Sequence, residues 1–254
     1  MATRLRIPFR RSSTRPSADA MTLGEHLAEL RRRVVISVFA FAVGATVAFI
    51  IYPQILHFLQ APYCRVVGRG HSCSLYVTAP LDGLSLRIKL STYGGMFLAS
   101  PVYLWELWRF ITPGLHANEK RYAVPFVVSS IVLFAFGAYL AFVAFPHALV
   151  FLQNIGGPTL KQIYNPNSYL GLIVALMLVF GLTFEFPVIL VSLELVGVLT
   201  PRRLASVRRW AIVGIVVFAA VITPSGDPFS MLALAVPMYV FYEASILIGR
   251  FLHR

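Results

Sequence analysis

Six apolar runs, each closed by proline, glycine or clustered arginine, fill most of the chain after residue 33, and nothing else constrains its fold as strongly. They cover about 34–52, 88–108, 122–145, 169–193, 210–223 and 229–248. A helix needs about 20 apolar residues to cross a hydrocarbon layer roughly 30 Å thick, and most of the runs reach that length. The residues are 58% hydrophobic and only 13% charged, with a mean hydropathy of +0.76. A soluble domain of this size has no way to hide so much apolar surface. The pattern predicts an all-α polytopic membrane protein, a bundle of six transmembrane helices within residues 21–250.

Orientation follows from the basic residues, which collect on the cytoplasmic side of membrane proteins. The tail, Arg31–Arg33, Arg109, Lys120, Arg121, Arg202, Arg203, Arg208, Arg209, Arg250 and Arg254 all fall on one side. The other side carries only Arg65, Arg69 and Lys161, with Arg87 and Lys89 at the mouth of the second run. Both termini are therefore expected in the cytoplasm, residues 251–254 forming a short cytoplasmic end. The formal net charge of +12 reads as a collar for anionic lipid, not as a nucleic-acid surface. Residues 1–20 hold five arginines and one acid and lack an apolar core, so they make no secretory signal. A disordered cytoplasmic tail on anionic lipid is the expectation, an Arg- and Ser-rich processed segment the alternative.

The fifth run has only 14 residues, about 21 Å of helix. It is joined to the sixth by Thr223-Pro224-Ser225-Gly226-Asp227-Pro228, a turn signal. The last two spans should thus be short or thin-walled. Residues 53–86 read as a mixed external loop containing Cys64 and Cys73. In an oxidising compartment these two could close a small disulfide ring, or they could stand as ordinary loop cysteines.

Enzyme chemistry finds little to work with. No lysine sits in a glycine-rich P-loop, and neither HExxH nor GxSxG occurs. The six histidines are scattered, so no metal and no cofactor is expected. Acids carry the information that remains. Glu185 lies deep in the fourth run, where a charge costs on the order of 3 kcal/mol. It must face a cavity, bond a neighbouring helix or stay protonated. Glu29 precedes the first run and Glu119 the third, each beside its own arginines. By composition alone both suit the first turn of a helix, with Asn118 as a cap.

Further along, His26-Leu27-Ala28-Glu29-Leu30-Arg31-Arg32-Arg33 resembles the amino-terminal signature of the TatC family, the multispanning receptor of the twin-arginine protein translocase. Similar matches follow in order: Ala61-Pro62; Trp108 to Leu115 and on to Glu119-Lys120-Arg121; Phe180 to Pro187; Thr223-Pro224 with Asp227 to Ser230; and Ala235 to Tyr239. The resemblance spans about residues 21–250. It implies recognition of Arg-Arg signal peptides on folded precursors and transport driven by the protonmotive force. TatA and TatB are the implied partners, with further copies of the chain, in a bacterial cytoplasmic membrane.

Position by position, the resemblance makes Glu29 and Glu119 the acids for the paired arginines. Arg31 would orient the neighbouring carboxylate, and Phe110 and Leu115 would line the apolar side. Guanidinium pairs bidentately with carboxylate in a way that ammonium does not, which suits this assignment. Glu185 matches the family's intramembrane acid, and Pro62 and Asp227 its external rim. Met231 departs from the pattern, standing where many relatives have a polar amide. A reading of another class is a proton-coupled small-solute transporter with Glu185 as relay, but the runs show no internal repeat of the kind such folds use.

Overall fold

The computed structural model describes residues 23–67, 75–111, 123–157, 164–195, 197–223 and 226–252. Among them there is no strand. The helices are α1 (Leu23–Ile50), α2 (Tyr52–Val67), α3 (Asp82–Ile111), α4 (Ala123–Ile155), α5 (Pro166–Thr183), α6 (Phe186–Leu195), α7 (Pro201–Ser206), α8 (Arg208–Ile222) and α9 (Pro228–Leu252). Among the described residues, four stretches are long and apolar enough to cross a membrane: Leu27–Ile50, Val124–Ile155, Pro166–Leu195 and Pro228–Phe251. The other two runs of the sequence lie in α3, which carries charged residues at both ends, and in α8, which has 15 residues.

Three features depart from the pattern of runs and loops. Residues 52–67 are helical, not loop: α2 turns Leu59 and Tyr63 into the core, and the Tyr169 hydroxyl donates to the Leu59 carbonyl at 3.1 Å. Its polar positions on one side and apolar ones on the other suit a helix with one face on the core. The third run does not stop at Pro146, because α4 continues to Ile155. The fourth run is broken. Pro187 has no N–H for the Thr183 carbonyl and its ring crowds that oxygen, so α5 ends at Thr183 and α6 begins at Phe186.

The core sits between α4, α5 and α9, where Phe145, Leu149, Leu170, Ile173, Phe180 and Leu234 are fully buried. α1 stands apart from it. Only 11% of its most apolar window is buried, and α3 is its main partner. That contact rests on small residues. A Cβ on Gly95 would lie 2.6 Å from the Ala45 nitrogen, and one on Gly44 would lie 2.9 Å from the Gly95 carbonyl oxygen. Backbones this close pack by van der Waals contact where lipid removes the hydrophobic drive between helices.

The crossing sets what meets at the two ends. α1 and α3 run in opposite directions, and eleven residues separate Gly44 from Arg33 and Gly95 from Glu106. At 1.5 Å per residue both side chains lie about 16 Å from the crossing, on the same level. At the other end the Arg87 guanidinium stacks 4.1 Å from the Phe49 ring centre, and its Nη2 donates to the Phe49 carbonyl at 3.3 Å.

Candidate functional site

At the arginine-rich end, Glu29 and Arg33 stand four residues apart on α1 and so face the same way. Arg33 Nη2 pairs with Glu29 Oε1, while its Nη1 lies 3.0 Å from Glu106 Oε2 on α3. These three side chains join Arg32, Ile36 and Arg109 around a small polar cleft of about 110 Å³. Glu106 is buried, whereas Arg32 and Arg109 are exposed. Within the cleft, Glu29 Oε2 and Arg33 Nε are buried without a hydrogen-bond partner.

Arg33 and Glu106 also border a second hollow. It is an apolar groove of about 570 Å³ between α1 and α3, reaching Phe110 and, on α5, Leu182. Val34, Val38, Met96 and Leu107 line its walls and are exposed. A carboxylate cleft thus opens beside an apolar trough, with one ion pair as the shared edge. The two hollows set an unused carboxylate oxygen, Glu29 Oε2, beside an apolar trough.

The expected site residues are distributed as follows. Glu29 and Phe110 are brought to adjoining hollows. Arg31 is exposed and borders neither, since two residues along a helix is more than half a turn. The orienting contact is made instead by Arg33. Glu119 and Leu115 lie outside the described residues, as does Cys73. Cys64 is held in a disulfide. Pro62 is buried within α2. Asp227 is fully buried, and its Oδ1 accepts from the Ser230 N–H at 2.7 Å, which caps the start of α9.

Glu185 sits in the break between α5 and α6 and is 7% exposed. Ser130 of α4 bonds it, and the same hydroxyl accepts from Trp108 Nε1 at 2.8 Å. Trp108, Ser130 and Glu185 thus form a buried polar chain from α3 to the broken helix. Glu106 and Arg33 escaped the reading of the sequence, although the signal was there. An acid inside an apolar run, three residues before Arg109, is a group that needs a partner. Among the described residues no group of three His, Cys, Asp or Glu is placed to hold a metal ion.

Comparison with known proteins gives this arrangement its family. The family model for Sec-independent protein translocase protein (TatC) matches residues 25–237. The chain belongs to the TatC family. It is 42% identical to the TatC protein of Frankia casuarinae over 252 residues, covering 96% of this chain and 69% of that one. Against the TatC of Aquifex aeolicus it is 37% identical over 233 residues, covering 91% and 95%. A crystal structure of the twin arginine translocase receptor TatC superposes with a TM-score of 0.74 at 37% identity, covering 91% of this chain and all of that one. The chain is therefore a multi-pass membrane component of a protein translocase. As in other TatC proteins, its setting is the Tat complex.

Proposed function

We propose that this chain is the subunit that receives the paired arginines of signal peptides on folded precursor proteins. With the single-span partners TatA and TatB it passes them across the bacterial cytoplasmic membrane, driven by the protonmotive force. The bundle has six spans with both termini in the cytoplasm, so the arginine-rich end faces the compartment where precursors are made. Anionic lipid holds that end, and further copies of the chain complete the complex.

One observation carries the reading: Glu29 stands in a polar cleft that adjoins an apolar groove containing Phe110. Signal peptides present basic residues followed by an apolar segment, the same order as the two hollows. Glu29 takes one guanidinium and Glu119 the other. Arg31 adds to the cationic rim that repels other basic segments, and Leu115 extends the apolar wall. Glu185 serves as the intramembrane polar group, held by Ser130, whose hydroxyl also accepts from Trp108.

The test is binding of an Arg-Arg signal peptide and its Lys-Lys counterpart to the wild type, Glu29→Gln, Glu119→Gln and the double variant. The wild type should prefer Arg-Arg, and each substitution should erode that preference by about tenfold, the worth of a charge-assisted hydrogen bond. Equal affinity for both peptides in every protein would refute the assignment.

A further inference from the structure

Arg33 serves two carboxylates at once. Its side chain is 11% exposed and that of Glu106 10%, against 22% for Glu29. Glu29 is thus the outer acid and Glu106 the inner one. Arg33 sends Nη2 to the first and Nη1 to the second. A guanidinium fork is used best when two N–H groups run to one carboxylate. Here it is split, and the buried Glu29 Oε2 is left without a hydrogen-bond partner. This is an arrangement with an unused acceptor on the acid nearest the opening.

We propose that Glu106 is a specificity-determining residue of the site, holding Arg33 as an internal arginine that yields Glu29 to an incoming guanidinium. The inference rests on the reading of the cleft as the receptor for paired arginines. On arrival, the incoming guanidinium takes Glu29, Arg33 gives up that contact and retires onto Glu106, and no charge is left buried alone. The charges lining the cleft require such a counter-ion. Glu29 and Glu106 face Arg32, Arg33 and Arg109, one positive charge in excess. Were Glu106 neutral, the excess would be two, and Arg33 would have Glu29 as its sole acid among these side chains. An arriving arginine would then have to strand Arg33 in a mostly buried place without a counter-charge, which is strongly unfavourable. Arg33 also raises the selectivity threshold. A single ammonium offers Glu29 no planar fork, so it competes poorly with the guanidinium already in place.

The experiment titrates the full-length protein in lipid nanodiscs with synthetic Arg-Arg and Lys-Lys signal peptides. Four proteins are compared: wild type, Glu106→Gln, Glu106→Asp and Arg33→Gln with Glu106→Gln, each with its thermal unfolding recorded. Glu106→Gln should bind the Arg-Arg peptide about tenfold more weakly, and Glu106→Asp should stay within about threefold of wild type. The double variant should recover to wild-type affinity, because the internal competitor is gone. Wild-type affinity in Glu106→Gln overturns the proposal. So does a double variant as weak as the single one, since a merely structural Glu106 would not be rescued by losing Arg33. A wild type that fails to prefer Arg-Arg over Lys-Lys overturns the receptor reading itself, whereas a clear preference with an indifferent Glu106 overturns this inference alone.

Discussion

The two ends of the α1–α3 pair solve the same problem, polar groups at the margin of a membrane, in opposite ways. At the arginine-rich end three charged side chains share contacts and leave two buried atoms unpartnered. At the other end Asp82 Oδ2 accepts from the Thr78 and Ala79 N–H groups, the Thr78 hydroxyl and Asn165 Nδ2, at 2.9 to 3.2 Å. Asn167 Nδ2 then donates to the Asp82 carbonyl and the Ser85 hydroxyl. Lys89 completes the clasp by donating to the Asn167 carbonyl at 3.3 Å. Arg87 Nε and Asn167 Oδ1 are likewise buried without a partner at this end. The difference lies in the acids: Asp82 is satisfied from four directions, whereas Glu29 keeps a spare acceptor that can exchange partners. On the proposed function, the contrast separates a scaffold end from a binding end.

The largest effect should come from the crossing that both ends depend on. Gly95→Ile places a branched side chain against the Ala45 backbone and should cost about 1–3 kcal/mol or more. Arg33 and Glu106 should separate with it, read as lost crosslinking between cysteines introduced at those two positions. Undiminished crosslinking would show that the ion pair, not the glycine contact, sets the register.

Next comes the clasp. Asn165→Ala removes the donor to Asp82 and Thr78 and the acceptor for the Asn167 N–H, and should lower stability by about 1–2 kcal/mol. Thermal unfolding should record the loss while Arg-Arg peptide affinity stays at the wild-type value. A matching fall in affinity would mean that the ends are not separable.

Phe110→Ala should act on the site in the opposite sense. Trimming the groove should weaken the apolar part of a bound peptide by about 1 kcal/mol, several-fold in affinity, while the ratio of Arg-Arg to Lys-Lys binding holds. A changed ratio would tie Phe110 to the polar cleft.

The smallest effect is a pH dependence. The hydrogen bond from Asn165, then those from Thr78 and Ala79, hold the Asp82 carboxyl below the usual carboxylate range. A group depressed in the folded state lends stability above its unfolded pKa of about 3.9 and loses it as pH falls through the folded value. The clasp should therefore loosen only on acidification below about pH 4, and Asp82→Asn should flatten that part of a stability-versus-pH curve. A curve with the same slope in both proteins would remove Asp82 from the account.

Much of this was legible in the chain. Apolar length marks spans because backbone polar groups in lipid must be paired internally, so the runs and the helices correspond. Glu29 by composition suited only a helix-start acid, and its proposed role came from the family resemblance, not from its place in a basic collar. Its partners divide by distance along the chain. Arg33 is four residues away and follows from helical spacing, but Glu106 is 73 residues from Arg33 and meets it only through the Gly44–Gly95 crossing. α2 was hidden by Pro62 and by its mixed composition, since its 16 residues hold no long apolar run to declare it. Asp82, Asn165 and Asn167 stand at the starts of α3 and α5, and the clasp that joins those two helix ends is a property of the packed bundle.

The close glycine contact also bears on how the protein enters its membrane. α3 carries Arg87, Lys89, Glu106 and Arg109 and is absent from the stretches apolar enough to cross by composition. α1 is such a stretch, and it supplies both the surface against which α3 packs and the counter-ion for Glu106. On the proposed six-span reading, insertion of α3 is expected to depend on the hairpin it forms with α1. A chain truncated to begin at α3 should leave that helix on the wrong side of the bilayer, visible as altered labelling of a cysteine placed near Ile111.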